Sequence, residues 1–432
     1  MLSSLPRKGC LSGSRPAINP GMTKPSGGLA DRPFRRPDLS RRLNRARVLR
    51  SIRSHAPVSR PDLERLTGLA AGTVQTIVDE LLAEGLLEAA RAPAAGVTGR
   101  GRPRLLLQLN SRAALVAGVG LFLPDRIQFE IVDLSGSRVA VLERSDPLPR
   151  EGPLLAKAIV QGLEALARSA GLQLTDLSGI GIGIPALVDS QAGAVHWPPG
   201  DIEDAYPLAD VVERQLGVSV DLDNMGNMMA RAEYWFAQSR EDDFAVVLVG
   251  GGVGMGLYAN GQLVTGVAGM AGELGHMKTG IDAPVRCACG AWDCLTAHVG
   301  LYRLARQALG RLGDDDAWPF DVRDAGDQVL ALASEGDAHV TAVLDRAGAL
   351  LGTAIANVAN LVGPARIVVI FETGAFVEWI GPPLIRSFEA QTLPPVRART
   401  SLIVRAGLNS LSQGAAAFAL ERIYAGPDVK LA

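Results

Sequence analysis

Three of the four cysteines, Cys287, Cys289 and Cys294, fall within eight positions of one another, and His276 stands 11, 13 and 18 residues ahead of them. Thiolates this close in sequence, in a chain with no apolar leader behind Arg7 and Lys8, point to a metal rather than to disulfides. Three sulfurs and one imidazole nitrogen make a closed tetrahedral set suited to a structural Zn2+, with no open position for a catalytic water. Three buried, metal-free cysteines are the plainer alternative. A second chemistry is written in charge. The formal net charge of −2 hides a strong asymmetry: residues 1–110 carry 19 Lys+Arg against 8 Asp+Glu, and the remainder 24 against 37. A basic head on an acidic body suggests a polyanion-binding module joined to a separate domain, the alternative being a solvated basic segment.

The elements that would position the basic residues are legible in the pattern. Residues 1–38, rich in Pro, Gly, Ser and Arg, read as a disordered basic tail. The arginines from Arg32 to Arg47, Arg41, Arg42 and Arg45 among them, are candidates for phosphate contact or for solubility alone. Helical spacing begins near Leu39 and runs through Leu43, Val48, Leu49 and Ile52, until Pro57 and Val58 break it. Ser59 stands as an N-cap with Pro61 just inside and Asp62 three residues on, Leu63 and Leu66 give an apolar face, and Gly68 ends the helix. A second helix, from about Ala71 to Glu84, has the stripe Val74, Ile77, Val78, Leu81 and Leu82, with Gly85 as its stop. Two short helices about a glycine-containing turn are a helix-turn-helix. Strands over Leu86–Ala90 and Arg104–Leu109, joined through Gly99-Arg100-Gly101-Arg102-Pro103, would form a wing whose arginines suit a minor groove. The candidate DNA contacts are Ser59 and Arg60, then Ala71, Gly72, Thr73, Gln75 and Thr76 at the start of the second helix, and Arg100, Arg102 and Arg104 on the wing. A winged helix used for protein contacts is the alternative.

From Leu115 the pattern changes to α/β, with strand-like runs at Val116–Phe122, Ile127–Val132, Gly179–Ile184, Ala245–Val249 and Ile367–Ile370. Length suggests two lobes dividing near Asp221. No run of about 18 apolar residues is evident, so neither a membrane span nor a secreted protein is expected, and the cytoplasm is the expected location.

Ser59-Arg60, Thr67-Gly68-Leu69, Gly85-Leu86-Leu87 and Gly101-Arg102-Pro103 resemble the winged helix of ROK-family regulators (repressor, open reading frame, kinase). The body agrees. Gly181-Ile182-Gly183-Ile184-Pro185-Ala186-Leu187-Val188-Asp189, Ala268-Gly269-Met270-Ala271-Gly272-Glu273-Leu274-Gly275-His276 and the Cys287–Cys294 stretch are similar to family motifs, and the likeness covers about residues 44–420. It implies an α/β protein with an N-terminal winged helix-turn-helix over 39–110, followed by a two-lobed, actin-like, sugar-kinase-like ROK domain over 111–432. Family members are often dimers or tetramers. The likeness assigns His276, Cys287, Cys289 and Cys294 to a structural zinc, and Asn224, Glu273 and His276 to contacts with a sugar effector. Asp293 stands where the family usually has Gly.

The catalytic positions depart from the resemblance. Gly118-Val119-Gly120-Leu121-Phe122-Leu123-Pro124 occupies the place of the first phosphate loop, with Gly120 for its Asp and Pro124 for its Thr. The second loop keeps its glycines, Gly250 to Gly256, but Gly251 replaces a Thr. Met225 takes the place of the Asp base, and the neighbouring Asp223 is expected to point elsewhere. Phe371-Glu372 replaces a Gly-Gly pair beside the adenosine. In the sugar pocket Thr296 replaces a Glu, and Pro198-Pro199 stands for Pro-Asn. A regulator that binds double-stranded DNA and has lost phosphoryl transfer is therefore expected, without enzymatic activity and with a sugar or sugar-derived effector. The alternatives are a sugar kinase with an appended DNA-binding head, and an effector-independent DNA-binding protein that uses its body only to dimerise.

Overall fold

The structure, a computed structural model, describes residues 36–90, 105–122, 125–149, 151–197, 205–237, 241–281, 285–310, 322–407 and 411–425. The chain divides between Ser40 and Arg41. Of the part up to Ser40 only the opening of the first helix is described, and every contact below lies within 41–432. The basic tail of 1–38 thus falls almost wholly outside the described residues.

Helix α1 (Arg36–His55) begins three residues before the expected start. Ser59 caps α2 (Arg60–Thr67): its Oγ accepts from the Asp62 N–H, and the Asp62 carboxylate accepts from the Ser59 N–H and hydroxyl. Gly68, at φ +69°, closes α2 by donating its N–H to the Glu64 carbonyl at 2.9 Å. Helix α3 (Ala71–Ala83) buries Val74, Ile77, Val78 and Leu81, the stripe read from the spacing. Strands β1 (Leu87–Ala89) and β2 (Leu107–Leu109) pair antiparallel with Leu87 opposite Leu109, each shorter than expected. The wing loop, with Arg100, Arg102 and Arg104, lies outside the described residues.

The body opens with β3 (Leu115–Phe122), β4 (Arg126–Asp133) and β5 (Arg138–Arg144), then α4 (Gly152–Ser169), β6 (Leu177–Ile184), the small hairpin of β7 (Leu187–Asp189) and β8 (Ala194–Trp197), α5 (Leu208–Leu216) and β9 (Val220–Asn224). These build a first mixed sheet in the order β5-β4-β3-β6-β9. Helix α6 (Met225–Phe236) leads to β10 (Phe244–Val249), β11 (Val253–Ala259) and β12 (Gln262–Leu263). Helices α7 (Leu295–Val299), α8 (Leu301–Ala308), α9 (Val322–Ser334) and α10 (Ala338–Val362) follow, then β13 (Arg366–Phe371), α11 (Phe376–Gln391), α12 (Pro394–Arg397), β14 (Ser401–Ala406) and α13 (Leu411–Ala425). The second sheet runs β12-β11-β10-β13-β14.

The last strand of the first sheet ends at Asn224, close to the division expected near Asp221, but the first lobe is not continuous in sequence: α13 returns from the C-terminus to pack on β3 and β6. Moreover, α10 is a 25-residue helix apolar enough to pass for a membrane span by length and composition. Most of its apolar window is buried in the second lobe, where it packs along α11. A core helix with small residues on every side reads as apolar all round.

The glycines of the first sheet have a packing cause. A Cβ on Gly118 would lie 1.9 Å from the Ser412 carbonyl oxygen, and one on Gly181 would lie 1.8 Å from that of Ala415. Helix α13 crosses the sheet so closely that only glycine fits beneath it.

Candidate nucleic-acid interface and metal centre

On α3, residues Ala71, Gly72, Gln75, Thr76 and Asp79 are exposed and share one face, with Thr73 half-buried beside them. Ala71 and Gly72 leave the N-terminal end of that face low. The Thr76 hydroxyl donates to the Gly72 carbonyl at 3.0 Å, so its methyl is the group left outward. Gln75 Nε2 donates to Asp79 Oδ2 at 2.5 Å, and Arg60 Nη2 from α2 donates to Asp79 Oδ1 at 2.7 Å. Ser59 does not belong to this face: it is only 2% exposed and its hydroxyl is consumed by the cap.

The arginines of α1 also need correction. Arg41 Nη2 donates to Glu80 on α3 at 2.7 Å. Arg45 is buried, gives both its terminal nitrogens to Glu84, and donates its Nε to the Tyr424 carbonyl of α13. Arg47 and Arg50 share Asp242, at 3.2 and 3.0 Å, and Arg50 lies 3.7 Å over the Tyr234 ring of α6. Arg53 lies 4.5 Å over Phe236, and burial pulls its guanidinium down to about 10. Arg45, Arg47, Arg50 and Arg53 fasten the head to the body, whereas Arg41 ties α1 to α3 within the head. One continuous core joins Val48, Leu49 and Ile52 of α1 to Met228 and Trp235 of α6 and Phe418 and Tyr424 of α13. Sequence reading missed this joint because Asp242 and the ring of Tyr234 lie almost 200 positions from the arginines they meet.

From the head, α6 runs back to the end of β9 and packs against strands of both sheets. Asn224 caps it, with Oδ1 accepting from the Asn227 N–H at 2.9 Å, and its NH2 is not used by that cap. Met225, at the place of a catalytic base, is 8% exposed and sits in the shared core. Asp223 is fully buried and its oxygens are taken by Arg231 Nη1 at 2.7 Å, Asn227 Nδ2 at 2.9 Å and the Asn224 N–H at 2.8 Å. It does point elsewhere. A side chain on Gly120 would meet Leu411 at 3.0 Å, so the space for a metal-binding Asp is filled by a buried leucine. Gly250 is covered by Glu372, whose carboxylate lies 3.6 Å from Arg126 on the opposite lobe. Thr296 Oγ1 accepts from the Val253 N–H at 3.2 Å. Pro124 and Pro198-Pro199 lie outside the described residues.

Glu273 and His276 flank a short turn packed against β11, with Glu273 Oε2 3.9 Å from His276 Nε2. Burial raises the Glu273 pKa, and burial followed by the Lys278 charge lowers that of His276. The other imidazole nitrogen, Nδ1, faces the cysteines, 3.9 Å from Cys287 Sγ, while Cys289 and Cys294 place their sulfurs 3.7 Å apart. The four ligand atoms all lie within 4.8 Å of one another. In a tetrahedron with Zn–S near 2.3 Å, neighbouring ligand atoms are about 3.8 Å apart. The donor set and its spacing therefore fit zinc. Without a metal, burial pushes the Cys287 thiol up to about 12. Cys289 is lowered: burial opposes its thiolate, but hydrogen bonds from the Ala291 N–H, Cys287 and Cys294 outweigh that. Lys278 Nζ donates to Cys294 Sγ at 2.9 Å. Asp293 adopts φ +60°, the conformation a glycine would favour, and its carboxylate accepts from Thr279 Oγ1, the Gly280 N–H and His298 Nε2. The turn survives the loss of the glycine because three hydrogen bonds hold it.

Against known protein families, residues 124–421 match the ROK family and residues 38–96 the MarR family. The chain belongs to the ROK family. NagC of Escherichia coli K12, a DNA-binding transcriptional dual regulator, is 29% identical over 390 residues, covering 89% of this chain and 93% of that protein. A putative xylose repressor of a Caldicellulosiruptor species is 28% identical over 339 residues, 77% of this chain and 83% of that one. A glucokinase of Halalkalibacterium halodurans is 31% identical over 253 residues, covering 57% of this ROK chain and 76% of the kinase. Among solved structures, a ROK family transcriptional regulator, homolog of the E. coli MLC protein, superposes with a TM-score of 0.70 at 24% identity, over 90% of this chain and 97% of that one. A ROK family glucokinase from Streptomyces griseus gives a TM-score of 0.59 at 24% identity, over 71% and 99%.

Proposed function

We propose that this ROK protein is a sequence-specific, DNA-binding transcriptional regulator, most simply a repressor, and that its kinase-like body no longer transfers phosphoryl groups. The carrying observation is one arrangement. An exposed α3 stripe stands on a head bolted to a sugar-kinase body whose catalytic-base position is filled by the buried thioether of Met225. A thioether cannot accept the proton of a sugar hydroxyl. The match to the NagC-like regulator spans head and body together, whereas the match to the glucokinase covers little more than half the chain.

In this reading residues 39–110 are the DNA-binding domain and 111–432 the ROK domain. Ala71, Gly72, Thr73, Gln75 and Thr76 enter the major groove, Arg60 and the wing arginines Arg100, Arg102 and Arg104 contact the backbone or minor groove, and His276, Cys287, Cys289 and Cys294 hold a structural Zn2+. The chain works in the cytoplasm as a homodimer or tetramer, presenting two heads to a pseudo-palindromic operator. A sugar or sugar-derived effector held by Asn224, Glu273 and His276 would alter the lobe angle. Helix α6 supports that route, since Asn224 caps one end while Tyr234 and Phe236 at the other end lie under Arg50 and Arg53. Regulation follows only if the effector binds the two arrangements with different affinity.

The test uses the purified full chain with a randomised duplex library. Selection should return a two-fold symmetric sequence, and coupled ATP consumption with a panel of hexoses should stay at baseline. No duplex binding in dilute salt together with turnover above about 1 s⁻¹, an ordinary enzyme rate, would overturn the proposal. A thermal-shift screen of sugars, amino sugars and sugar phosphates addresses the effector: a ligand at about 100 times its Kd should stabilise by about 2.7 kcal/mol. Silence across the screen would favour an effector-independent regulator.

A further inference from the structure

The outward face of α3 carries a carboxylate that the reading above does not use. Asp79 stands one turn beyond Gln75, 54% exposed, on the stripe that would meet a polyanion. A lone negative charge there opposes binding to any phosphate backbone. It is not alone. It accepts from two members of the candidate DNA-contacting set on two different helices, Arg60 of α2 at 2.7 Å and Gln75 of α3 at 2.5 Å.

Both bonds have consequences for a base edge. A carboxylate only accepts, so Gln75 must turn its NH2 toward Asp79. One N–H and the carbonyl Oε1 of the amide then remain, and these are the donor and acceptor that complement N7 and the N6 amino group of adenine in the major groove. With Asp79 in place the amide has one orientation; without it, either orientation is open and the readout is degenerate. The Arg60 pairing serves the charge. Arg60 is only 23% exposed on its side chain and its Nε is buried without a hydrogen-bond partner, so the guanidinium lies along the α2–α3 surface with its tip on Asp79 and cancels that charge on the contact face.

The geometry points to Asp79 as a specificity-determining positioning residue, one that fixes the Gln75 amide for base reading while Arg60 offsets its charge. This rests on the stripe meeting DNA, as proposed above. The experiment compares the wild-type chain with Q75A, D79A and D79N, each as the full chain, on the duplex selected by the wild type and on unselected random duplex, with melting temperatures recorded for all. Q75A identifies the base pair that Gln75 reads. D79A should lose about tenfold discrimination at that same base pair, while its affinity for random duplex holds or rises because a negative charge has gone. D79N, isosteric and still able to accept one hydrogen bond, should fall between D79A and wild type.

The inference is overturned if folded D79A keeps the wild-type preference at that base pair, or if it loses equal factors on selected and random duplex. It is also overturned if neither variant melts like the wild type, since Asp79 would then be only a tie between α2 and α3. Failure of the DNA-binding proposal looks different, because the wild-type chain itself would then select no sequence.

Discussion

Lys278 Nζ donates to Cys294 Sγ at 2.9 Å, and that bond lifts the lysine's pKa. Three thiolates around Zn2+ leave one net negative charge, which a neighbouring ammonium offsets. Lys278→Met should therefore weaken zinc binding by on the order of tenfold, the lower end for such outer contacts, in a titration against a chromophoric chelator. Unchanged affinity would mean the lysine is incidental. Cys289→Ser removes a ligand outright, so zinc content and melting temperature should fall together, and full zinc occupancy in that variant would contradict the assignment. Met225→Asp tests the other centre. The new carboxylate would enter a site 8% exposed, two residues from an Asp223 already paired with Arg231. It should cost on the order of 3 kcal/mol and restore no ATP turnover, because Leu411 still fills the space over Gly120. Recovery of kinase activity would show the remaining site to be intact. The His276, Cys287, Cys289 and Cys294 cluster was legible in sequence because type and spacing are the signal for such a set. Lys278, Asp79 and Asp242 were not, because each acts on a partner through space. Ser59 carried two incompatible readings, cap and DNA contact, and only its burial separates them.

At the scale of elements, the same glycines can be read as chemistry or as packing. Gly118-Val119-Gly120 occupies the position of a phosphate loop, yet Gly118 and Gly120 face α13, as does Gly181 in the next strand. Helix α13 is the last described element of the chain, and nothing local to residues 118 or 181 announces it. Five body strands, β3, β4, β6, β10 and β13, were plain in the apolar runs to within a residue or two, and so were α2 and α3 from caps and stripes, whereas β5, β9, β11 and β14 were not read. What stayed hidden was the return of the C-terminus to the first sheet. The packing cause makes a graded prediction. Gly118→Ala or Gly181→Ala would thrust a methyl to within 1.9 Å of a helix carbonyl and should cost about 3 kcal/mol or more, since neither backbone can give way alone. Gly179→Ala meets nothing nearer than the Ala419 Cβ at 3.5 Å, an ordinary contact, and should melt close to the wild type. Equal melting temperatures for all three would mean that α13 does not sit as described.

Across the whole molecule, the question is whether the head is a tethered bead or part of the body's core. Arg45 and Arg47 were candidates for DNA phosphates by composition, but both, with their neighbour Arg50, are committed to Glu84, the Tyr424 carbonyl, Asp242 and Tyr234. In the proposed homodimer a rigid joint matters, because two heads meeting half-sites about one helical turn apart forfeit the advantage of being linked if they are loose. Arg50→Met keeps the apolar stem while deleting both the ion pair at 3.0 Å and the cation–π contact at 3.7 Å. Together these are worth about 1–2 kcal/mol at a partly desolvated site, so the amides of α1 should exchange with solvent roughly tenfold faster. Affinity for the two-fold symmetric duplex should drop, while affinity for a half-site is retained. The slope of log affinity against log salt should stay unchanged, whereas loss of a genuine phosphate contact would reduce it by about 0.9. A changed slope with unaltered exchange in α1 would place Arg50 on the DNA and leave the joint to the apolar core alone.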